Sequence, residues 1–365
     1  MRVGILSYPM LFQRDGGLQI QVRETIAALN RVMPRTPRSL QVQLVDANHG
    51  YLSDYDVIHV FSAINGNYRI VETACELGLP VVLSPLLSPG WNRAAWRARL
   101  VDRLAGRLTD WMVQTSYAQS KRALQLASLV IALGEAERTA IIDGFGMEES
   151  KIRVFPNGIN PHFFTANSDL FRRETGIDRP FVLMVGSISP YKNQLGLAQA
   201  LAGSNLPVVL IGAAPRADQA YLQQLLALRH VSWLGPLDHA DPLLASAFNA
   251  AAVVALPSQG EVFPLSVLEA LAAGTPVVMT AQSALDLPAS AFALRKVRWD
   301  DGQAQRLAIE QLVAQRPERA AVQALVEQFT WDRVASQIAD CYFGLQAGAG
   351  SLTALAGRGR RRHAI

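Results

Sequence analysis

Two glutamates with seven residues between them, Glu261 and Glu269, stand in the segment LPSQGEVFPLSVLEALAAGTPVV. An apolar run, Val253–Leu256, precedes a polar turn holding Glu261, and the pattern predicts a helix from about Pro264 that carries Glu269. Proline suits a first helical turn, because its missing N–H would have had no partner there. Residue 269 lies five positions beyond 264, about 7.5 Å along a helix axis. One carboxylate at a helix mouth and another a turn inside could hold two separated hydroxyl-bearing groups, with a phosphate at the helix N-terminus between them. The plainer reading makes Glu261 a helix-dipole partner and Glu269 a solvated side chain. It fits Glu269 poorly, since Leu265, Leu268, Ala270, Leu271 and Ala273 crowd it with apolar neighbours.

A second anion-friendly feature follows the first apolar run. In YPMLFQRDGGLQIQ, Gly16 and Gly17 open a helix, and glycine there lets a ligand approach N–H groups that a helix start leaves unpaired. A Gly-Gly turn alone is a weak sign. It is not a G-x-G-x-x-G fingerprint, so a nicotinamide dinucleotide gains no support. Neither an Asp-x-Asp motif nor a His/Cys ligand cluster occurs, and no metal or resident cofactor is expected.

These residues must be positioned by an alternation of short apolar runs and helical patterns. The predicted strands are Val3–Ser7, Val42–Val45, Val57–Phe61, Val81–Ser84, Leu129–Leu133 and Ile152–Phe155. A second series comprises Phe181–Gly186, Val208–Ile211, Val231–Leu234, Val253–Leu256 and Val277–Thr280. Continuous apolar runs fit parallel strands covered on both faces. Helices lie between them, such as Leu18–Met33 with Val22, Ile26 and Leu29 on one face. The fold class is therefore α/β, with two similar-sized parallel sheets. The series breaks at about 156–180, a Pro-, Asn- and Gly-rich stretch that reads as a linker. We expect a first domain over 1–160, a second over 161–330, a helix over 331–346 and a disordered basic tail over 347–365.

The 365 residues are half hydrophobic and 18% charged, enough to fill two cores and too apolar for intrinsic disorder. Two cysteines, Cys75 and Cys341, are too few for a disulfide framework and fit a reducing cytoplasm. No apolar run reaches the length of a membrane span, and the opening MRVGILSYPMLF reads as a strand rather than a signal peptide. The net charge of +4 owes much to Arg358, Arg360, Arg361 and Arg362, so no nucleic-acid partner is expected.

The glutamate segment resembles the signature of family 4 of the retaining glycosyltransferases. The match is carried by Pro257, Ser258, Glu261, Phe263, Leu265, Leu268, Glu269, Ala270, Ala272, Gly274, Pro276, Val277 and Val278. Gly16–Gly17, the strand around His59, Pro156–Asn160, Gly186 with Lys192, and Phe329–Trp331 extend the likeness to roughly 1–346. The resemblance implies the GT-B fold, in which two Rossmann-like domains face a cleft and a C-terminal helix crosses back to the first. It also implies transfer of a sugar, without metal, from a nucleotide diphosphate sugar to a glycan or lipid-linked acceptor. The default setting is polysaccharide synthesis at the cytoplasmic membrane face. Carried over residue by residue, Glu261 is the catalytic position and touches the donor sugar, while Glu269 holds the nucleotide ribose. Backbone at Phe263, Pro264, Leu265 and Ser266 faces sugar and phosphate, Ser187 and Lys192 face the diphosphate, and Gly16 and Gly17 lie beneath it.

The chain departs from the family pattern at three places. Ser187 stands where an arginine often follows the glycine, which leaves Lys192 as the signature cation. Val262 and Pro264 replace glycines beside Phe263. No histidine occurs between His59 and His162, where many relatives place one near the reacting carbon. Two rivals therefore remain open, a non-catalytic nucleotide-sugar-binding homologue and a sugar-nucleotide epimerase. Acceptor contacts are expected from loops 8–15, 62–68 and 84–92, with Tyr8, Phe12, Asn65, Asn67 and Trp91. The segment WNRAAWRARLVDRLAGRLTDWM carries Arg93, Arg97, Arg99, Arg103 and Arg107 beside a stripe of Trp96, Leu100, Leu104, Leu108 and Trp111. It reads either as an ordinary packed helix or as a peripheral contact with an anionic membrane.

Overall fold

The computed structural model describes residues 1–13, 16–32, 39–46, 49–89 and 115–360, with side chains of the last helix described to residue 347. The arginine-rich segment 93–107 and Trp91 lie outside the described residues. The chain forms two compact units. One holds the first six strands and the last helix. The other, Asn157–Thr330 with the short Arg14–Ile20 stretch, holds the next six.

The first unit's strands are β1 (Arg2–Leu6), β2 (Gln41–Leu44), β3 (Val57–Phe61), β4 (Val81–Ser84), β5 (Leu129–Ala132) and β6 (Ile152–Val154). They form a six-stranded sheet in the order β2-β1-β3-β4-β5-β6, parallel at every pairing. All five residues of β3 and all four of β4 are buried, as continuous apolar strands covered on both faces should be. The Gly17–Val32 helix follows β1, one residue off the predicted bounds.

The second unit repeats the plan with β7 (Val182–Val185), β8 (Val208–Ile211), β9 (Val231–Trp233), β10 (Val253–Leu256), β11 (Val277–Thr280) and β12 (Leu294–Val297). The order is β12-β11-β10-β7-β8-β9, again parallel throughout. The connections leave β7 in one direction and β10 in the other, so the order reverses between these neighbours. Such a switch point opens a crevice at the carboxyl ends of the strands.

Three expectations need correction. β12 was not predicted, because LRKV interleaves two bases with its apolar residues, as an edge strand tolerates. The expected linker 156–180 contains a helix, Asp169–Thr175, whose Phe171 is fully buried and stacks on Phe181. The helix expected over 331–346 runs Trp331–Arg360, and residues 361–365 of the expected tail lie outside the described residues. Its extension over 347–360 holds four alanines and four glycines and no proline.

Two buried titratable groups in the first unit, His59 and Glu137, have hydrogen-bond partners for both of their polar atoms. His59 is fully buried on β3, with Nδ1 2.6 Å from Tyr342 Oη of the last helix and Nε2 2.9 Å from Ser84 Oγ. Burial pushes its pKa down to about 3, so the ring is neutral and serves one donor and one acceptor. Glu137, in the first turn of the Glu135–Phe145 helix, accepts the Leu87 N–H at Oε1 (2.6 Å) and the Leu133 N–H at Oε2 (2.8 Å). Burial raises its pKa to about 7, against the opposing effect of those bonds. The two shifts have opposite consequences. His59 favours folding fully above its unfolded value of 6.5, and this stability is lost as pH falls toward 3. Glu137 favours folding fully below 4.5, and its contribution is lost as pH rises through about 7. Each has a slope of about 1.4 kcal/mol per pH unit, and between 4.5 and 6.5 they offset one another. We predict that Glu137→Gln makes stability fall more steeply than wild type on acidification from pH 6.5 to 4.5. Urea unfolding of both proteins across that range measures it, and parallel curves would refute it.

Candidate functional site

The switch point places the loops after β7 and β10 side by side. After β7 the chain passes Gly186 and Ser187, makes a tight turn over Pro190–Lys192, and enters the Gln194–Ala200 helix. Gly186 must lie close to the end of β8: a Cβ at Gly212 would stand 2.1 Å from the Gly186 carbonyl oxygen, and both glycines have positive φ. Only glycine at 212 admits this approach. Buried Gln194 then braces the loop, its Nε2 donating to the Ser187 carbonyl (2.9 Å) and its Oε1 accepting the Ser189 N–H (3.3 Å). The Ser187 hydroxyl points at the Ala213 carbonyl, 3.4 Å away.

The loop after β10 is tied to this one through Tyr191. Its hydroxyl donates to the Gly260 carbonyl at 2.7 Å, and its own carbonyl accepts the Gln259 N–H at 3.0 Å. Burial first, and the nearby charge of Glu261 second, raise the Tyr191 pKa, so the hydroxyl stays protonated and donating. With the loops joined in this way, Lys192 Nζ lies 2.6 Å from Glu261 Oε1, the side chains 25% and 13% exposed. Spacing in the sequence does not foretell this contact, since the two are 69 positions apart.

Backbone bonds then fix Val262–Pro264 and the helix beyond. The Val262 carbonyl accepts from Ala284 N–H (2.8 Å) and Ser283 Oγ (3.1 Å), and the Phe263 carbonyl accepts from Asn157 Nδ2 (2.9 Å). Pro264 precedes the Leu265–Ala272 helix in an extended conformation and offers no side-chain cap. The first-turn N–H groups, Leu265 and Ser266 among them, thus have no intrahelical acceptor and form an electropositive mouth. Phe263 and Leu265 are buried and Ser266 is half-buried.

Glu269, one turn inside, is only 4% exposed, as its apolar neighbours imply. It does not pair with Lys192. Its Oε1 is 2.7 Å from Nε2 of His239, in the loop between β9 and the Pro242–Ala250 helix. The His239 ring packs against Phe163 and His162, with centroids 5.6 and 6.3 Å apart. Burial, then the neighbouring His239, hold the His162 pKa below its ordinary value against the pull of Glu269. Gly17 would place a Cβ 4.0 Å from Leu265 Cδ1 and Gly16 would meet nothing within 4 Å, so neither glycine is needed to avoid a clash.

The structure thus brings Lys192, Glu261 and the 265–272 helix mouth together, with Ser187 on the same β7 loop, and gives Glu269 a partner of its own. His239, Tyr191 and Asn157 took no part in the expected side-chain set. Asn157 lay within a family-like stretch, whereas His239 sits in an irregular loop whose spacing carries no signal. Among the described residues no cluster of three or more His, Cys, Asp or Glu could hold a metal ion.

Comparison with known proteins bears on this arrangement. Residues 167–287 match the family described as glycosyl transferases group 1, and residues 7–163 match glycosyltransferase family 4. The chain is 30% identical over 231 residues to D-inositol 3-phosphate glycosyltransferase of Stackebrandtia nassauensis, covering 57% of this chain and 52% of that protein. The enzyme of the same name from Corynebacterium urealyticum is 29% identical over 390 residues, covering 90% of this chain and 91% of its own. Over the stretches of several matches, the chain spans about half the length of the curated relatives it matches. The crystal structure of Anabaena HepE in complex with UDP superposes with a TM-score of 0.69 at 19% identity, covering 94% of this chain and all of that one. That likeness establishes the GT-B fold. By both family matches and by fold, the chain belongs to the glycosyltransferases of group 1 and family 4.

Proposed function

We propose that the protein is a retaining glycosyltransferase that moves a sugar from a nucleotide diphosphate sugar to a glycan or lipid-linked acceptor in cell-surface polysaccharide synthesis. The observation that carries this reading is the 2.6 Å pair of Lys192 and Glu261, next to a helix mouth with no side-chain cap. A cation and a row of N–H groups suit a diphosphate, and an adjacent carboxylate suits the hydroxyls of the sugar attached to it.

In this mechanism the bond between the anomeric carbon and the diphosphate oxygen breaks as negative charge grows on the leaving group. Lys192 and the N–H groups of Leu265 and Ser266 stabilise that charge, which does the work a metal ion would otherwise do. Glu261 orients the sugar and stabilises positive character at its anomeric carbon. Glu269 holds the ribose, and Gly16 and Gly17 leave space for the diphosphate. The acceptor hydroxyl attacks from the face the diphosphate leaves, and the departing phosphate oxygen takes its proton. The new carbon–oxygen bond therefore keeps the original configuration.

Among the described residues no helix is long and apolar enough to cross a membrane. We assign peripheral attachment at the cytoplasmic membrane face to the 93–107 arginines and the Arg358–Arg362 cluster, each worth about 1 kcal/mol near an anionic surface.

Glu261→Gln is expected to lower turnover at least about a hundredfold, the scale of a lost transition-state electrostatic contact. Product formation from a panel of sugar nucleotides with acceptor extracts measures this. Undiminished transfer would reduce the glutamate to a structural role, and binding without transfer in wild type would favour the non-catalytic rival. Lys192→Ala should weaken donor binding and Ser187→Arg should strengthen it. In titration calorimetry, unchanged affinity on loss of Lys192 would place the diphosphate elsewhere. Co-sedimentation with anionic vesicles should fall as salt rises, through charge screening, and fall when Arg93, Arg97, Arg99 and Arg103 are changed to glutamine. Equal recovery with neutral and anionic vesicles at low salt would exclude the membrane assignment.

A further inference from the structure

We infer that His239 is a positioning residue for the donor's nucleoside, and that it acts by fixing Glu269 so that one carboxylate oxygen is left for the ribose hydroxyls. The inference rests on the donor-site reading above. It starts from the cost of Glu269: a carboxylate 4% exposed on an apolar helix face needs hydrogen-bond donors to remain charged. An ionised carboxylate only accepts, so the 2.7 Å contact requires that His239 Nε2 carry the hydrogen, whether the ring is neutral or charged. The bond occupies Oε1. That leaves Oε2 to accept from a vicinal diol, the group a ribose presents.

The His239 ring is held by two neighbouring rings as well as by Glu269. Phe163 and His162 pack against its faces and edges. On the chain before it, Asp238 accepts the Ala240 N–H at Oδ1 (2.9 Å) and the Asp241 N–H at its carbonyl (3.0 Å). On the chain after it, Asp241 Oδ1 caps the Pro242–Ala250 helix through the Leu243 N–H (2.8 Å). A donor carried by a loop pinned at both ends can hold a carboxylate rotamer to a fraction of an ångström, the precision that a binding site requires. A merely structural histidine would also satisfy Glu269, but it would have no bearing on which nucleotide binds.

The test compares ribose with its deoxygenated form. UDP, GDP, ADP and CDP are titrated calorimetrically against wild type, and the tightest binder is then compared with its 2′,3′-dideoxy counterpart. Wild type should prefer the ribonucleotide at least about tenfold, because a site built to bind a hydroxyl rejects the analogue lacking it. His239→Phe should weaken the ribonucleotide until the two bind within about twofold of each other. His239→Gln places an amide N–H near the Nε2 position, and it should restore much of the preference and serve if the phenylalanine variant unfolds. Donor KM should rise in His239→Phe far more than kcat falls. A folded His239→Phe protein that keeps the full preference, or a folded His239→Gln protein that loses it completely, overturns the inference and leaves the donor-site reading standing. Wild type that binds nucleotide without preference overturns the ribose role of Glu269 and the inference with it. Wild type that binds none of the nucleotides overturns the donor-site reading itself.

Discussion

The candidate site depends on one pairing, that of β10 with β7 through Val253–Val182 and Val254–Leu183. Every other neighbour in the second sheet could be kept and the site would still be lost if these two strands were apart. Their adjacency brings two loops of unlike character to one edge. One is pressed against the end of β8 by the Gly212–Gly186 approach, and the other is anchored through the Val262 and Phe263 carbonyls. Tyr191 joins them, and the distance between Lys192 and Glu261 follows from that joint.

Electrostatics then separates the two glutamates. Both are largely withdrawn from water, and an uncompensated carboxylate in such a place is costly. Glu261 faces an ammonium on a flexible stem, which can turn toward an arriving anion. Glu269 faces an imidazole wedged among rings, which cannot. One carboxylate is thus exchangeable in its partner and the other fixed, a division suited to a site where the reacting end of a ligand changes and its nucleoside end does not.

Much of the fold was legible because parallel strands leave a simple trace. Val57–Phe61, Val81–Ser84, Val208–Ile211, Val253–Leu256 and Val277–Thr280 are continuous apolar runs and fall where they were read. β12 left no such trace, since Arg295 and Lys296 interrupt it at the sheet edge. The Asp169–Thr175 helix buries one aromatic, too little for a periodicity to appear among the prolines and glycines around it. At the site, the helix with Glu269 and the turn with Glu261 could be read from spacing and apolar context. Lys192 was legible only through its likeness to a family pattern, and its contact with Glu261 needs the strand order. His239 was not legible at all, because a side chain presented by an irregular loop obeys no period.

The main stretch of the second unit runs from Asn157 to Thr330, and its ends lie side by side: the Ile159 N–H donates to the Phe329 carbonyl at 2.7 Å and Ile159 bridges Thr330. In effect the second unit is an insertion in the first, a loop closed at its own neck. The first unit also includes the last helix, whose Tyr342 meets His59, 283 residues earlier. At ribosomal rates, roughly a quarter of a minute to a minute separates the emergence of the two. During that interval the residues of the second unit are all made while His59 has no tyrosine to meet. The amino-terminal unit therefore cannot be complete until the chain beyond residue 330 has been made.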